Sequence, residues 1–92
     1  MSYQVEYSKE ARLDLRGMPA RFRNRVRTLI DALSNNPRPT KSKELRDLPG
    51  LYRLRLEQWR IIYSVDDAEA QVLIIRIKRK TGPETYKDLE IP

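Results

Sequence analysis

The sequence predicts an α+β fold. The expected form is a compact microdomain of order β-α-α-β-β-β, a twisted antiparallel sheet with two helices packed on one face. Three observations predict it. Apolar residues alternate along 3–7, 51–56 and 59–66, the period of a half-buried strand. Phe22, Val26, Leu29, Ile30 and Leu33 recur at helical spacing and make one apolar stripe. The chain has 92 residues, enough for one domain with a modest core, so residues 1–92 are read as a single unit.

In the first strand Tyr3, Val5 and Tyr7 share one side, with Gln4 and Glu6 on the other. Ser8 follows as an N-cap, its side-chain oxygen placed to accept from a first-turn N–H. Glu10 in that turn suits the positive end of the helix dipole. The short helix "SKEARLDLR" turns Ala11 and Leu15 inward, four residues apart. Gly17 ends it and Pro19 opens the second helix, 19–34.

The stretch "SNNPRPTKSK", 34–43, holds two Asn, two Pro and nothing apolar, which marks a loop. "KELRDLPG" is a turn region closed by Pro49 and Gly50. Three strands follow at 51–56, 59–66 and 71–79, joined by Glu57 and Gln58 and then by 67–70. Strands joined by turns this tight run antiparallel. The helical stripe needs one sheet face to cover it, which leaves the other face partly open. The tail "KTGPETYKDLEIP" reads as irregular.

Composition narrows the chemistry. There is no cysteine, hence no disulfide and no thiolate ligand, which suits a reducing, cytoplasmic setting. There is no histidine, the commonest general base and metal ligand. No apolar run approaches a membrane span. The formal net charge is +6, and thirteen of the nineteen basic residues are arginine. Arginine forks onto phosphate and stacks on bases where lysine acts as a point charge, so an acidic partner is expected. Arg21, Arg23, Arg25 and Arg27 surround the apolar stripe of the second helix, where a solvated face is the expected reading and nucleic-acid binding the alternative.

Alternation then sorts the strand arginines. Tyr52, Leu54 and Leu56 share a face, and Arg53 and Arg55 take the opposite one. On the next strand Trp59, Ile61, Tyr63 and Val65 face the helices, and Arg60 lies with Ile62 and Ser64. Arg53, Arg55 and Arg60 therefore emerge together on the open face. The last strand adds Arg76 and Lys78, with Arg79 and Lys80 at its end, although 72–77 is apolar on both sides apart from Arg76. Like charges on neighbouring strands are destabilising, which points to an anion that offsets them. The alternative is neutralisation by Glu57, Asp66, Asp67 and Glu84, which sit in turns and tail.

A cationic sheet face with Tyr86 in the tail suits single-stranded RNA, whose phosphates and unstacked bases meet guanidinium and aromatic groups. RNA also carries its own nucleophile, the 2′-OH. No phosphate-cradling Gly loop, metal cluster or Ser/His/Asp set is visible, so any cleavage is expected to need no metal or other cofactor and to fall to Arg, Lys and Tyr. Free Lys and Tyr have pKa values of about 10, which a positive field lowers. The residues alone lead to an RNA-binding or RNA-cleaving protein.

"KELRDLPGLYRLRLEQWRIIYSVDD", "VLIIRIKRK" and the closing "ETY" carry a resemblance to the RelE/ParE superfamily of toxins from type II toxin–antitoxin modules, its RelE branch above all. The resemblance spans essentially the whole chain, with its specificity in residues 43–86. It implies a ribosome-dependent mRNA endonuclease that cuts in the A site through 2′-OH attack and leaves a cyclic phosphate. It places that chemistry on Arg53, Arg55, Arg60, Arg79 or Lys80, and Tyr86; Arg53 and Arg55, with Arg76 and Lys78 from the strand alternation, are the residues expected to hold RNA. Two strand positions that are often lysine in active members are Arg53 and Arg55 here, and arginine scarcely gives up a proton, which shifts weight to Tyr86 or Lys80. The implied partners are a RelB-like antitoxin with an acidic and apolar segment that folds on binding, the ribosome and mRNA, and operator DNA only through the toxin–antitoxin complex. A ParE-like DNA gyrase poison and an inactive antitoxin binder are the alternatives within the superfamily.

Overall fold

Ser8 shows how the fold is assembled. Its Oγ accepts from the Ala11 N–H at 3.0 Å, capping the first helix, and donates to the Ile75 carbonyl at 2.7 Å, tying that cap to the last strand. The structure, a computed structural model, describes residues 2–79. They form β1 (Gln4–Tyr7), α1 (Lys9–Arg16), α2 (Ala20–Ala32), β2 (Lys43–Glu44), β3 (Leu51–Leu56), β4 (Trp59–Asp66) and β5 (Gln71–Arg79). The five strands make one sheet of order β1-β5-β4-β3-β2. None of the described helices is long and apolar enough to cross a membrane.

The three long strands pair antiparallel, as their tight turns require. β1 departs from this. It runs parallel to β5, from Gln4 opposite Gln71 to Tyr7 opposite Ile74, so the sheet is mixed rather than antiparallel throughout. The tight-turn argument does not reach β1, because two helices separate it from the rest of the sheet and a crossover of that length permits a parallel neighbour. β2 is the second addition, a two-residue edge strand that places Lys43 opposite Arg53. Glu44 holds the turn behind it by accepting from the Gly50 N–H at 3.0 Å, where Gly50 takes φ +90°.

The helical stripe is core, as its spacing implies. Ala11, Leu15, Met18, Phe22, Val26, Ile30 and Leu33 pack against Leu54, Ile61, Tyr63, Val72, Ile74 and Ile77. The opposite face is less open than expected. Leu45, Leu51, Ile62 and Ile75 form a second buried cluster there, with Leu48 and Leu73 against it. This explains the lost alternation in β5. The pairing steps from Ile62 opposite Arg76 to Tyr63 opposite Ile74, leaving Ile75 as an extra residue in a β-bulge. Apolar residues crowd 72–77 because the strand feeds a core on each side.

Candidate nucleic-acid interface on the sheet

The register sets the basic side chains in two rows. Arg55 on β3 stands opposite Arg60 on β4, which stands opposite Lys78 on β5. Two residues along, Lys43, Arg53, Ile62 and Arg76 occupy successive strands. Cross-strand partners share a face, so Arg53, Arg55, Arg60, Arg76 and Lys78 lie on the side away from the helices. Arg55 and Lys78 are exposed, and Arg53 and Arg76 half-buried. The apolar cluster of Leu45, Leu51, Ile62 and Ile75 covers the other end of that face.

Arg60 corrects one expectation. Alternation predicts an outward side chain whose removal leaves the fold intact, yet Arg60 is only 6% exposed. Its Nη1 donates to the Glu57 carbonyl at 2.9 Å and to the Trp59 carbonyl at 3.1 Å. Glu57 has φ +53°, a left-handed conformation uncommon for a residue with a side chain. The guanidinium thus folds back over the β3–β4 turn and braces its carbonyls. The period of a strand gives the side on which a residue emerges, not the path of a long side chain after that.

Arg79 lies apart from these rows. It pairs with Trp59, in the alternation that faces the helices, and is exposed. Lys80 and Tyr86 lie outside the described residues. Arg76 engages Asp14 on α1 through Nε at 2.8 Å and Nη2 at 3.1 Å, so part of its charge is met inside the molecule.

Of the acids expected among the strand arginines, Glu84 lies outside the described residues, and the other three engage groups elsewhere in the fold. Glu57 pairs with Arg25 on α2. Asp66 accepts from the Glu69 N–H at 3.1 Å in the β4–β5 turn. Asp67 receives both Arg38 Nη1 at 3.1 Å and Nη2 at 2.8 Å, and the Tyr3 hydroxyl at 2.7 Å. Arg38 went unmarked in the sequence because a loop arginine has no periodic signal. Its Nε also donates to the Tyr52 hydroxyl at 2.9 Å. Tyr52 stacks on Tyr63, whose hydroxyl donates to the Pro37 carbonyl at 2.8 Å, so this cluster pins the loop after α2 onto the sheet. The hydrogen bonds from Arg38 and then Tyr3 hold the Asp67 carboxyl below the usual carboxylate range. The bond to Asp67 in turn pushes the Tyr3 phenol up.

A five-stranded sheet backed by two helices is also the fold of known proteins. Residues 5–81 match the family model of the ParE toxin of the type II toxin–antitoxin system, parDE. The chain belongs to the ParE toxin family. Within the RelE/ParE superfamily it is a toxin of the RelE-like type. It is 31% identical to Toxin RelE of Mycobacterium tuberculosis over 81 residues, 87% of this chain and 84% of that one. It is 22% identical to the mRNA interferase toxin RelE of Escherichia coli K12 over 90 residues, 96% and 94% of the two chains. In the crystal structure of the toxin–antitoxin complex RelBE2 from M. tuberculosis, one chain superposes with a TM-score of 0.77 at 30% identity. That match covers 87% of this ParE-family toxin and 100% of the other chain.

Proposed function

We propose that this toxin is a ribosome-dependent, metal-independent mRNA endonuclease that cuts mRNA in the A site and so inhibits translation. The observation that carries the reading is the row Arg55, Arg60 and Lys78, three cations in register across three strands. The mRNA-interferase name of the E. coli relative supports it.

In the proposed reaction the RNA 2′-oxygen attacks the adjacent phosphorus, the bond to the 5′-oxygen breaks, and a 2′,3′-cyclic phosphate remains. One proton leaves the 2′-OH and one reaches the departing 5′-oxygen. Arg60 and Arg55 stabilise charge on the phosphoryl oxygens, aided by Arg79 or Lys80. Arg53, Arg76 and Lys78 hold the flanking backbone. Tyr86 or Lys80 moves the proton that arginine cannot.

The partner is a RelB-like antitoxin whose acidic and apolar segment folds on binding. The solved RelBE2 complex of the M. tuberculosis relative supports this. The pair contacts operator DNA mainly through the antitoxin. The setting is the cytoplasm.

Induced expression followed by mapping of cellular mRNA 5′ ends tests the reading. Cuts within codons of translated messages are expected. DNA-damage signalling without cuts would instead indicate a gyrase poison, and an absence of any growth effect an inactive antitoxin binder.

A further inference from the structure

A second concentration of arginine lies on the helix side of the sheet. A crevice of about 340 Å³ is lined by Tyr7, Arg12, Leu15, Arg16, Arg23 and Arg27. Arg12 and Arg16 are four apart on α1, and Arg23 and Arg27 four apart on α2. Each helix therefore presents a like-charged pair on one face, and such pairs weaken a helix. Among the described residues no carboxylate lines the crevice. Arg23 Nη2 donates to the Met18 carbonyl at 3.0 Å, while its Nε is buried with no hydrogen-bond partner among the described residues. A buried guanidinium N–H in that condition is costly unless something accepts from it. The nearby acid is Asp31 on α2, whose charge acts on Tyr7 in opposition to that of Arg27.

We propose that Arg12, Arg16, Arg23 and Arg27, with Tyr7, form a phosphate site that grips an RNA backbone separate from the strand at the sheet face. The inference rests on the reading of this toxin as an RNA-directed protein. The chemistry favours phosphodiester over protein. Guanidinium forks match phosphate oxygens bidentately, and four of them converge here. A peptide helix needs a row of apolar anchors, and among the described residues this crevice offers Leu15 and the Tyr7 ring alone. The helices cover one sheet face and the Arg55–Arg60–Lys78 row occupies the other, so the two sites hold different stretches of nucleic acid.

The test uses the full chain and a 2′-O-methylated single-stranded RNA, which binds but cannot be cut through a 2′-OH. The variant Arg12→Gln/Arg16→Gln/Arg27→Gln leaves Arg23 and its bond to Met18 in place, and thermal melting checks that it folds. RNA affinity at low salt should fall tenfold or more. The slope of log K against log salt should flatten by about 0.7 per charge removed, roughly two in all. The corresponding triple lysine variant should keep most of the slope. An unchanged slope in the Gln variant would overturn the site. An equal fall in the binding of poly-glutamate would reassign the crevice to a protein partner and overturn the RNA assignment. A parallel Arg55→Gln/Lys78→Gln variant separates the two ideas. If it alone loses RNA, the helix-side site fails while the sheet-face reading stands.

Discussion

Asp14 accepts a hydrogen bond from the backbone N–H of Ile77 at 2.9 Å, sixty-three residues away. β1 pairs with β5 only as far as Ile74, and beyond that point a strand edge would stand bare. Ser8 at the Ile75 carbonyl and Asp14 at the Ile77 N–H occupy that edge in its place. Open edges invite pairing with other chains, so α1 protects the sheet as well as covering it.

Asp14→Ala removes the acceptor for the Ile77 N–H and one partner of Arg76 together. It should cost about 1–3 kcal/mol, the penalty for a buried group left unbonded. The midpoint of urea unfolding measures this. A midpoint equal to that of the parent would show that α1 holds its place by apolar contacts alone.

Arg60→Ala should lower both activity and stability. Losing a charge stabiliser aimed at a developing oxyanion typically costs about 10²–10³ in rate. Releasing the Glu57 and Trp59 carbonyls should in addition destabilise the hairpin by about 1–3 kcal/mol. Cleavage per folded molecule on programmed ribosomes, read beside a melting curve, separates the two effects. Full cleavage activity in a folded variant would remove Arg60 from the proposed chemistry.

The Asp67 carboxyl is held below its ordinary value of 3.8 in the folded protein by Arg38 and Tyr3. Its contribution to stability is therefore complete above that value and disappears as pH falls through the lower folded one. Tyr3 is shifted the other way, upward from 10.0, so its contribution is complete below that value and fades at higher pH. Melting temperature measured from pH 6 downward should fall less steeply below pH 4 in Asp67→Asn than in the parent. Parallel curves would mean that the Arg38 pair adds nothing to the acid limb.

Tyr86 is tested by two substitutions. Tyr86→Phe keeps the ring and removes the hydroxyl, and if that hydroxyl moves a proton the single-turnover rate should fall by about 10²–10⁴. If the ring only stacks on a base, Phe should cut nearly as well and Tyr86→Ala should lose about 1–3 kcal/mol of binding. The first outcome is expected, because Arg53 and Arg55 are poor proton acceptors. Undiminished cleavage by the Phe variant would pass the base role to Lys80 or solvent.

Periodicity made the long elements legible. β3, β4 and β5 follow the predicted bounds because each alternates against a half-buried face, and α2 follows its stripe, ending at Ala32 rather than at 34. The missed features have no repeating signal. The parallel docking of β1 depends on where two helices deliver the chain. β2 is two charged residues, Lys43 and Glu44, with no alternation to read. Leu45 and Leu48 looked like turn residues because the cluster they join is assembled from four separate segments. Among the basic residues, alternation assigned Arg53, Arg55 and Lys78 to a face correctly. It was silent on Arg60 folding over its turn and on Arg38 finding Asp67, since both depend on side-chain reach.

The parallel pairing of β1 with β5 bears on synthesis. β5 is flanked by β1 on one side and β4 on the other, so β1 has no neighbouring strand until residues 71–74 have been made. Contacts this distant in sequence form late, after the loop between them has been closed. A nascent chain that stops before β5 holds two amphipathic helices and a hairpin with no completed sheet to join them. Its cationic row is also incomplete, because Lys78 arrives with the same strand. A product interrupted before β5 would lack both the finished sheet and one cation of the proposed RNA-contacting row. The topology would make the proposed poisoning conditional on synthesis through β5, in a protein whose proposed target is the machine that makes it.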